Sequence, residues 1–158
     1  MQNKELNYID IEWMKKALNL AKKASSIGEV PVGALIVKDH IMIGRGYNSP
    51  ISCCDPTAHA EILALREAAL SIKNYRLSGA TLYVTIEPCT MCIGAIIHAR
   101  IARLVYGALE PRAGAVVSNL KLPILPHYNH RLDVQGGVIA EECGALISNF
   151  FKNKRSLT

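Results

Sequence analysis

The chain has 158 residues, half of them apolar, and 18 basic against 13 acidic side chains give a net charge of +5. That length suits one domain with a sizeable core; no apolar run approaches the ~20 residues of a membrane span, and the opening Met1-Gln2-Asn3-Lys4-Glu5 lacks the basic start and apolar block of a signal peptide. Five cysteines, an odd number, argue for a reducing compartment, the cytoplasm, over a disulfide framework, and the modest basic excess is compatible with a polyanionic partner without requiring one.

In chain order, Asp10 is placed to cap a helix whose apolar positions Ile11, Met14, Leu18, Ala21 and Ala24 fall on one stripe ending near Gly28. Val30 to Val37 and Ile41 to Arg45 read as two β-branched strands, joined by a turn at Asp39-His40 into an antiparallel pair. The turn-rich loop from Gly46 to Pro56 ends at Thr57, a good cap for a second helix that carries His59 and Glu61 and runs to about Ile72. Residues two apart in an ideal helix point roughly 200° apart, so His59 and Glu61 converge on one point only if the first turn meets it end-on or is irregular.

Thr81 to Ile86 is a strong strand, followed by a helix opened by Pro88 and reaching about His98, then a strand over Ala102 to Tyr106. Such a unit favours parallel pairing with a right-handed crossover, and ligands bind at the strand ends of such sheets. A long loop, Ala108 to Gly114, and an irregular stretch to Arg131 follow; loops of this length in a compact domain are usually functional. Gly136-Gly137 leads into a last helix with Ile139, Cys143, Leu146, Ile147 and Phe150 on one stripe, where Cys143 reads as core. Its basic tail, Lys152, Lys154 and Arg155, suits a helix C-terminus and equally suits phosphates.

The chemistry concentrates in Pro88-Cys89-Thr90-Met91-Cys92 and His59-Ala60-Glu61. Cys89 and Cys92, three positions apart, share one face of a helical turn, and the positive end of the helix dipole favours the thiolates that zinc prefers. With His59 as third ligand, a fourth tetrahedral position stays open for water, which marks a catalytic rather than a structural site. Glu61 is the acid nearest in sequence to accept that water's proton. Two plainer readings compete: a thiol redox pair at Cys89-Cys92, and a structural zinc closed by His98, Cys53, Cys54 or Cys143.

His-x-Glu followed by Pro-Cys-x-x-Cys is the signature of the zinc-dependent nucleobase deaminases, and it stands here without departure. Together with Val30-Pro31-Val32-Gly33-Ala34, Asp55-Pro56-Thr57-Ala58 before His59, Asn129-His130-Arg131 and the final Phe150-Phe151, the chain resembles the bacterial tRNA-specific adenosine deaminases over nearly its whole length. The resemblance implies a three-layer αβα, cytidine-deaminase-like fold with a mixed central sheet of about five strands, and a single zinc-dependent deaminase domain over residues 1–158. It also implies one Zn²⁺ per subunit, a homodimer, and hydrolysis of the wobble adenosine to inosine in a tRNA anticodon stem-loop, with Glu61 catalytic and His59, Cys89 and Cys92 on the metal.

By position, Asn48 resembles the family's base-binding asparagine, against the plain alternative of a turn beside Ser49-Pro50. Backbone amides near Ala60 and Cys89 are expected to assist. Glu110-Pro111-Arg112-Ala113-Gly114 resembles the family's Asp-Pro-Lys-Ala-Gly, which puts Glu110 and Arg112 near the RNA with both charges conserved in sign; Cys53-Cys54 departs from the usual polar residues. Rival readings are a same-fold deaminase of a free base or nucleotide, and a non-catalytic zinc module that binds RNA or a partner subunit.

Overall fold

A computed structural model describes residues 7–157, so the opening pentapeptide read above lies outside the described residues. The elements are α1 (Tyr8–Ser26), β1 (Gly33–Lys38), β2 (Ile41–Tyr47), α2 (Ala60–Ile72), β3 (Thr81–Ile86), α3 (Thr90–His98), β4 (Arg103–Ala108), a 3-10 turn (Leu122–Ile124), β5 (Asp133–Gln135) and α4 (Ala140–Ser156). The strands form one mixed sheet in the order β2-β1-β3-β4-β5. β1 is antiparallel to both β2 and β3, whereas β3, β4 and β5 run parallel. Both central residues of the β1–β2 turn, Asp39 (φ 51°) and His40 (φ 63°), have positive φ, the twist that a two-residue hairpin requires.

Alternate residues of the central strands face opposite helix layers, which is why β1, β3 and β4 are buried almost throughout. Leu35, Tyr83 and Val105 pack with Met14, Ala17 and Leu20 of α1 and Cys143 of α4. Ala34, Ile36, Leu82, Val84 and Leu104 pack on the other side with Ala64, Leu65 and Ala68 of α2 and Ile93, Ile96 and Ile97 of α3. This is the expected three-layer αβα arrangement, and Cys143 sits in its core.

α2 lies unusually close to β2. A Cβ on Gly46 would come within 2.6 Å of the Ala60 carbonyl oxygen and 2.7 Å of Leu63 Cβ, and one on Gly44 would meet Ala64 and Ala68. Only a bare strand backbone lets the helix settle there.

The element boundaries depart from expectation at three helix starts. Asn7, not Asp10, caps α1, accepting a 3.0 Å hydrogen bond from the Ile9 amide. Asp10 is turned into the interior instead, where its carboxylate accepts from Tyr83 Oη (2.8 Å) and from both terminal nitrogens of Arg103 (2.7 and 2.6 Å). Thr57 does not cap α2, because Asp55 Oδ1 holds both the amide and the hydroxyl of Thr57 at 2.8 Å in a turn that delays the helix to Ala60. Pro88 stands one residue outside α3, whose cap is Cys89. The short β5, within the Arg131-to-Gly136 passage, was not expected as a strand; pairing with β4 holds it.

Candidate metal centre

The C-terminal end of β3 delivers the chain directly into Glu87, Pro88 and Cys89. Across from it, the loop after β2 delivers His59. His59 and Cys89 are the caps of α2 and α3, both in extended backbone conformation (φ −71°, ψ 152° and φ −80°, ψ 175°), and neither side chain caps its own helix. Their side chains are therefore free to meet between the two helix starts. Because His59 precedes the helix, the 200° objection to its pairing with Glu61 lapses: one residue leaves the loop and the other lies in the first turn.

His59 Nδ1 lies 3.6 Å from the sulfur of Cys89 and 3.6 Å from that of Cys92. All three ligand atoms fall within 4.8 Å of one another, the one such group among the described residues. A tetrahedral zinc with Zn–N near ~2.1 Å and Zn–S near ~2.3 Å sets each N···S separation at about 3.6 Å, so the donors already stand at the spacing such an ion needs. One imidazole and two sulfurs are also the donor chemistry that selects zinc over magnesium or calcium. Among the described residues, His98, Cys53, Cys54 and Cys143 do not belong to the group, so three side chains, and not four, could hold a metal ion.

The electrostatics favour a thiolate. Hydrogen bonds from Cys92 and His59 outweigh burial and bring the Cys89 thiol down to about 4, while Cys92, as donor to Cys89 in a buried setting, is pushed up. The hydrogen bond to Cys89 raises His59. Glu61 is buried beside them, and that burial raises its carboxyl above the ordinary range despite hydrogen bonds from its own amide and from Cys92.

Asn48 adjoins the same spot. Its Oδ1 accepts the Ala60 amide at 2.9 Å, so Asn48 supplies from the loop the cap that His59 does not provide. The Ala60 amide is thereby engaged within the protein, and among the described residues the Asn48 side-chain NH₂ donates to none. Glu110 and Arg112 stand further out. They line a groove of about 910 Å³ with Ile86, Ile147, Phe151 and Lys154, and none of His59, Cys89 and Cys92 lines it. Glu110 Oε1 accepts the Arg112 amide at 2.8 Å, which stiffens the loop tip.

Glu87 was missed from the sequence. It is 1% exposed, and hydrogen bonds from Ser118 and the amides of Val117, Ser118 and Glu110 hold its carboxyl below the usual range against the opposing effect of burial. The available signal was a carboxylate directly after an apolar strand and directly before Pro88-Cys89, a position where burial without partners is costly.

Comparison with known proteins agrees with this geometry. The sequence profile of the MafB19-like deaminases matches residues 9–155. The tRNA-specific adenosine deaminase of Haemophilus influenzae is 52% identical over 147 residues, spanning 92% of this chain and 85% of that protein. A solved structure from work on A-to-I editing by tRNA:A34 deaminases at the wobble position of transfer RNA is 44% identical, with a TM-score of 0.83 over 85% of this chain and 98% of that one. The guanine deaminase of Bacillus subtilis is 41% identical with a TM-score of 0.60, over 62% of this chain and 63% of that one.

Proposed function

The chain belongs to the MafB19-like deaminases, and from that premise we infer its reaction: hydrolytic deamination of adenosine to inosine at the wobble position of a tRNA anticodon. Likeness to a tRNA-specific adenosine deaminase across 92% of the chain carries this reading. The reading treats residues 1–158 as one deaminase domain, acting as a homodimer in the cytoplasm, where tRNA is available. Among the described residues no helix is long and apolar enough to cross a membrane.

His59, Cys89 and Cys92 would hold one Zn²⁺, supported by their donor types and 3.6 Å spacings. When bound, zinc supplies a Lewis acid that makes water a competent nucleophile near neutral pH. The chain's own groups do the rest. Glu61 takes a proton from the attacking water, passes it to N1 of the adenine as the C6–O bond forms, and then assists protonation of the departing amino group. Adenosine and water thus become inosine and ammonia. Its burial excludes bulk water from that exchange. The Asn48 NH₂ donates to the base, supported by the engagement of its Oδ1 with Ala60, which fixes the amide's orientation. Glu110 and Arg112 meet the RNA outside the reaction centre, in the groove they line with Phe151 and Lys154. An anticodon loop suits this arrangement because its bases are already unpaired and cost less to splay out.

The test is incubation of the protein with total bacterial tRNA and mapping of inosine, beside ammonia release from free guanine, cytosine and their nucleotides. Inosine at the wobble position with inert free bases is the expected result; turnover of free guanine without tRNA editing would transfer the assignment to the guanine-deaminase side of the fold. Light scattering at micromolar concentration should give a dimer, and a stable monomer would refute that part.

A further inference from the structure

The loop between β4 and the 3-10 turn is organised around a side chain outside it. Glu87, at the foot of the strand that leads into Cys89, directs its carboxylate into the loop's centre. One oxygen accepts the amides of Val116, Val117 and Ser118 at 3.0, 2.9 and 3.0 Å, and the other accepts the Glu110 amide at 3.1 Å and the Ser118 hydroxyl. The adjacent backbone joins the same connection, since the Ala115 amide donates to the Pro88 carbonyl at 2.9 Å and the Glu87 amide to the Ala108 carbonyl at 2.8 Å. Among the described residues no Lys, Arg or His forms an ion pair with Glu87. A buried carboxylate satisfied almost wholly by loop amides fixes the position of those amides. Gly114 gives the same indication from the other side: a Cβ there would run into the Glu87 carboxyl and the Glu110 carbonyl.

We propose that Glu87 is a positioning residue for substrate binding, setting the place of the Glu110–Arg112 loop tip relative to the Cys89 end of the metal centre. This rests on the tRNA deaminase reading. One residue thus connects the segment that carries a metal ligand to the segment that meets the RNA, and it touches neither the ion nor the base.

Glu87→Gln tests it with little change of volume. Turned one way, the new NH₂ faces three N–H donors. Turned the other, it faces only the Glu110 amide, because the Ser118 hydroxyl can rotate to accept. The less costly orientation therefore releases the loop tip alone. Steady-state inosine formation on an anticodon hairpin should show KM raised about tenfold, the scale of one lost charge-assisted hydrogen bond, with kcat within about threefold and zinc content unchanged. Gly114→Ala disturbs the same contact from the loop and should give the same pattern; it decides the matter if Glu87→Gln does not fold. An unchanged KM in both variants overturns the proposal, as does a fall in kcat or zinc with KM intact, which is what a purely structural role predicts. Failure of the unsubstituted protein to form inosine would instead sink the tRNA deaminase reading beneath it, whatever the variants do.

Discussion

His59 and Cys89 hold the same station in two different helices, each the residue just before the first turn, and the ring nitrogen of one lies 3.6 Å from the sulfur of the other. The N-termini of two helices on the same face of the sheet thus come together at one point. Their positive dipole ends favour thiolate at Cys89, and Cys92, in the first turn of α3, completes the set.

Replacing His59, Cys89 or Cys92 with alanine should remove the metal. Elemental analysis should fall from about one zinc per chain to a small fraction of that, with inosine formation lost in parallel. Chelation of the unsubstituted protein should lower its melting temperature, and zinc should restore it.

Glu61→Ala should separate metal from chemistry. The variant keeps its zinc, while turnover falls by about 10²–10⁴-fold, the usual contribution of a positioned acid–base group. Elemental analysis and single-turnover kinetics on one preparation measure both, and ordinary inosine formation in this variant would refute the proton-carrier role.

Asn48→Ala should affect both fold and reaction. Loss of the bond to the Ala60 amide removes the cap of α2, at a cost of about 1 kcal/mol in denaturant unfolding. Loss of the donor to the base should lower kcat/KM at least tenfold. A variant with normal turnover and only the stability loss would assign Asn48 to capping alone.

The Asp10–Arg103–Tyr83 cluster sets a pH dependence. Burial raises the Asp10 carboxyl, but the Arg103 and Tyr83 hydrogen bonds outweigh it and leave the group below its ordinary value. A carboxylate depressed in the folded state stabilises the protein above its unfolded pKa, near ~4, and that stabilisation is lost as pH falls through the folded value. Asp10→Asn, which leaves Arg103 without its partly buried partner, should therefore be less stable than the parent by about 3 kcal/mol at pH 7, with the gap narrowing below about pH 4 in thermal melts.

The strand–helix–strand run from Thr81 to Tyr106 and the convergence of His59, Cys89 and Cys92 were legible because each rests on a local signal: β-branched strands, a short cysteine spacing, a histidine two residues before a glutamate. The helix caps were not legible, because contacts distant in sequence decide them. Asp10 has the right residue type for a cap, but Arg103 and Tyr83, 93 and 73 residues away, draw it inward. Thr57 likewise has the right type, and the neighbouring Asp55 turns it aside. Asp133–Gln135 is too short and polar to announce a strand, and its pairing with β4 supplies what its composition lacks. Glu87 was hidden for a related reason, since its partners come from residues 110–118, which carry no regular structure to predict.

Gly46 gives the outer edge of the sheet leverage over the turn that carries His59 and Glu61. It binds nothing and bears no functional group, yet the first turn of α2, with His59 at its threshold and Glu61 inside it, rests on the bare backbone there. A single methyl at that point would act as a shim under the helix, tilting the imidazole away from the sulfurs and carrying the carboxylate with it. A bare position in β2 thus bears on how His59 and Glu61 are aligned.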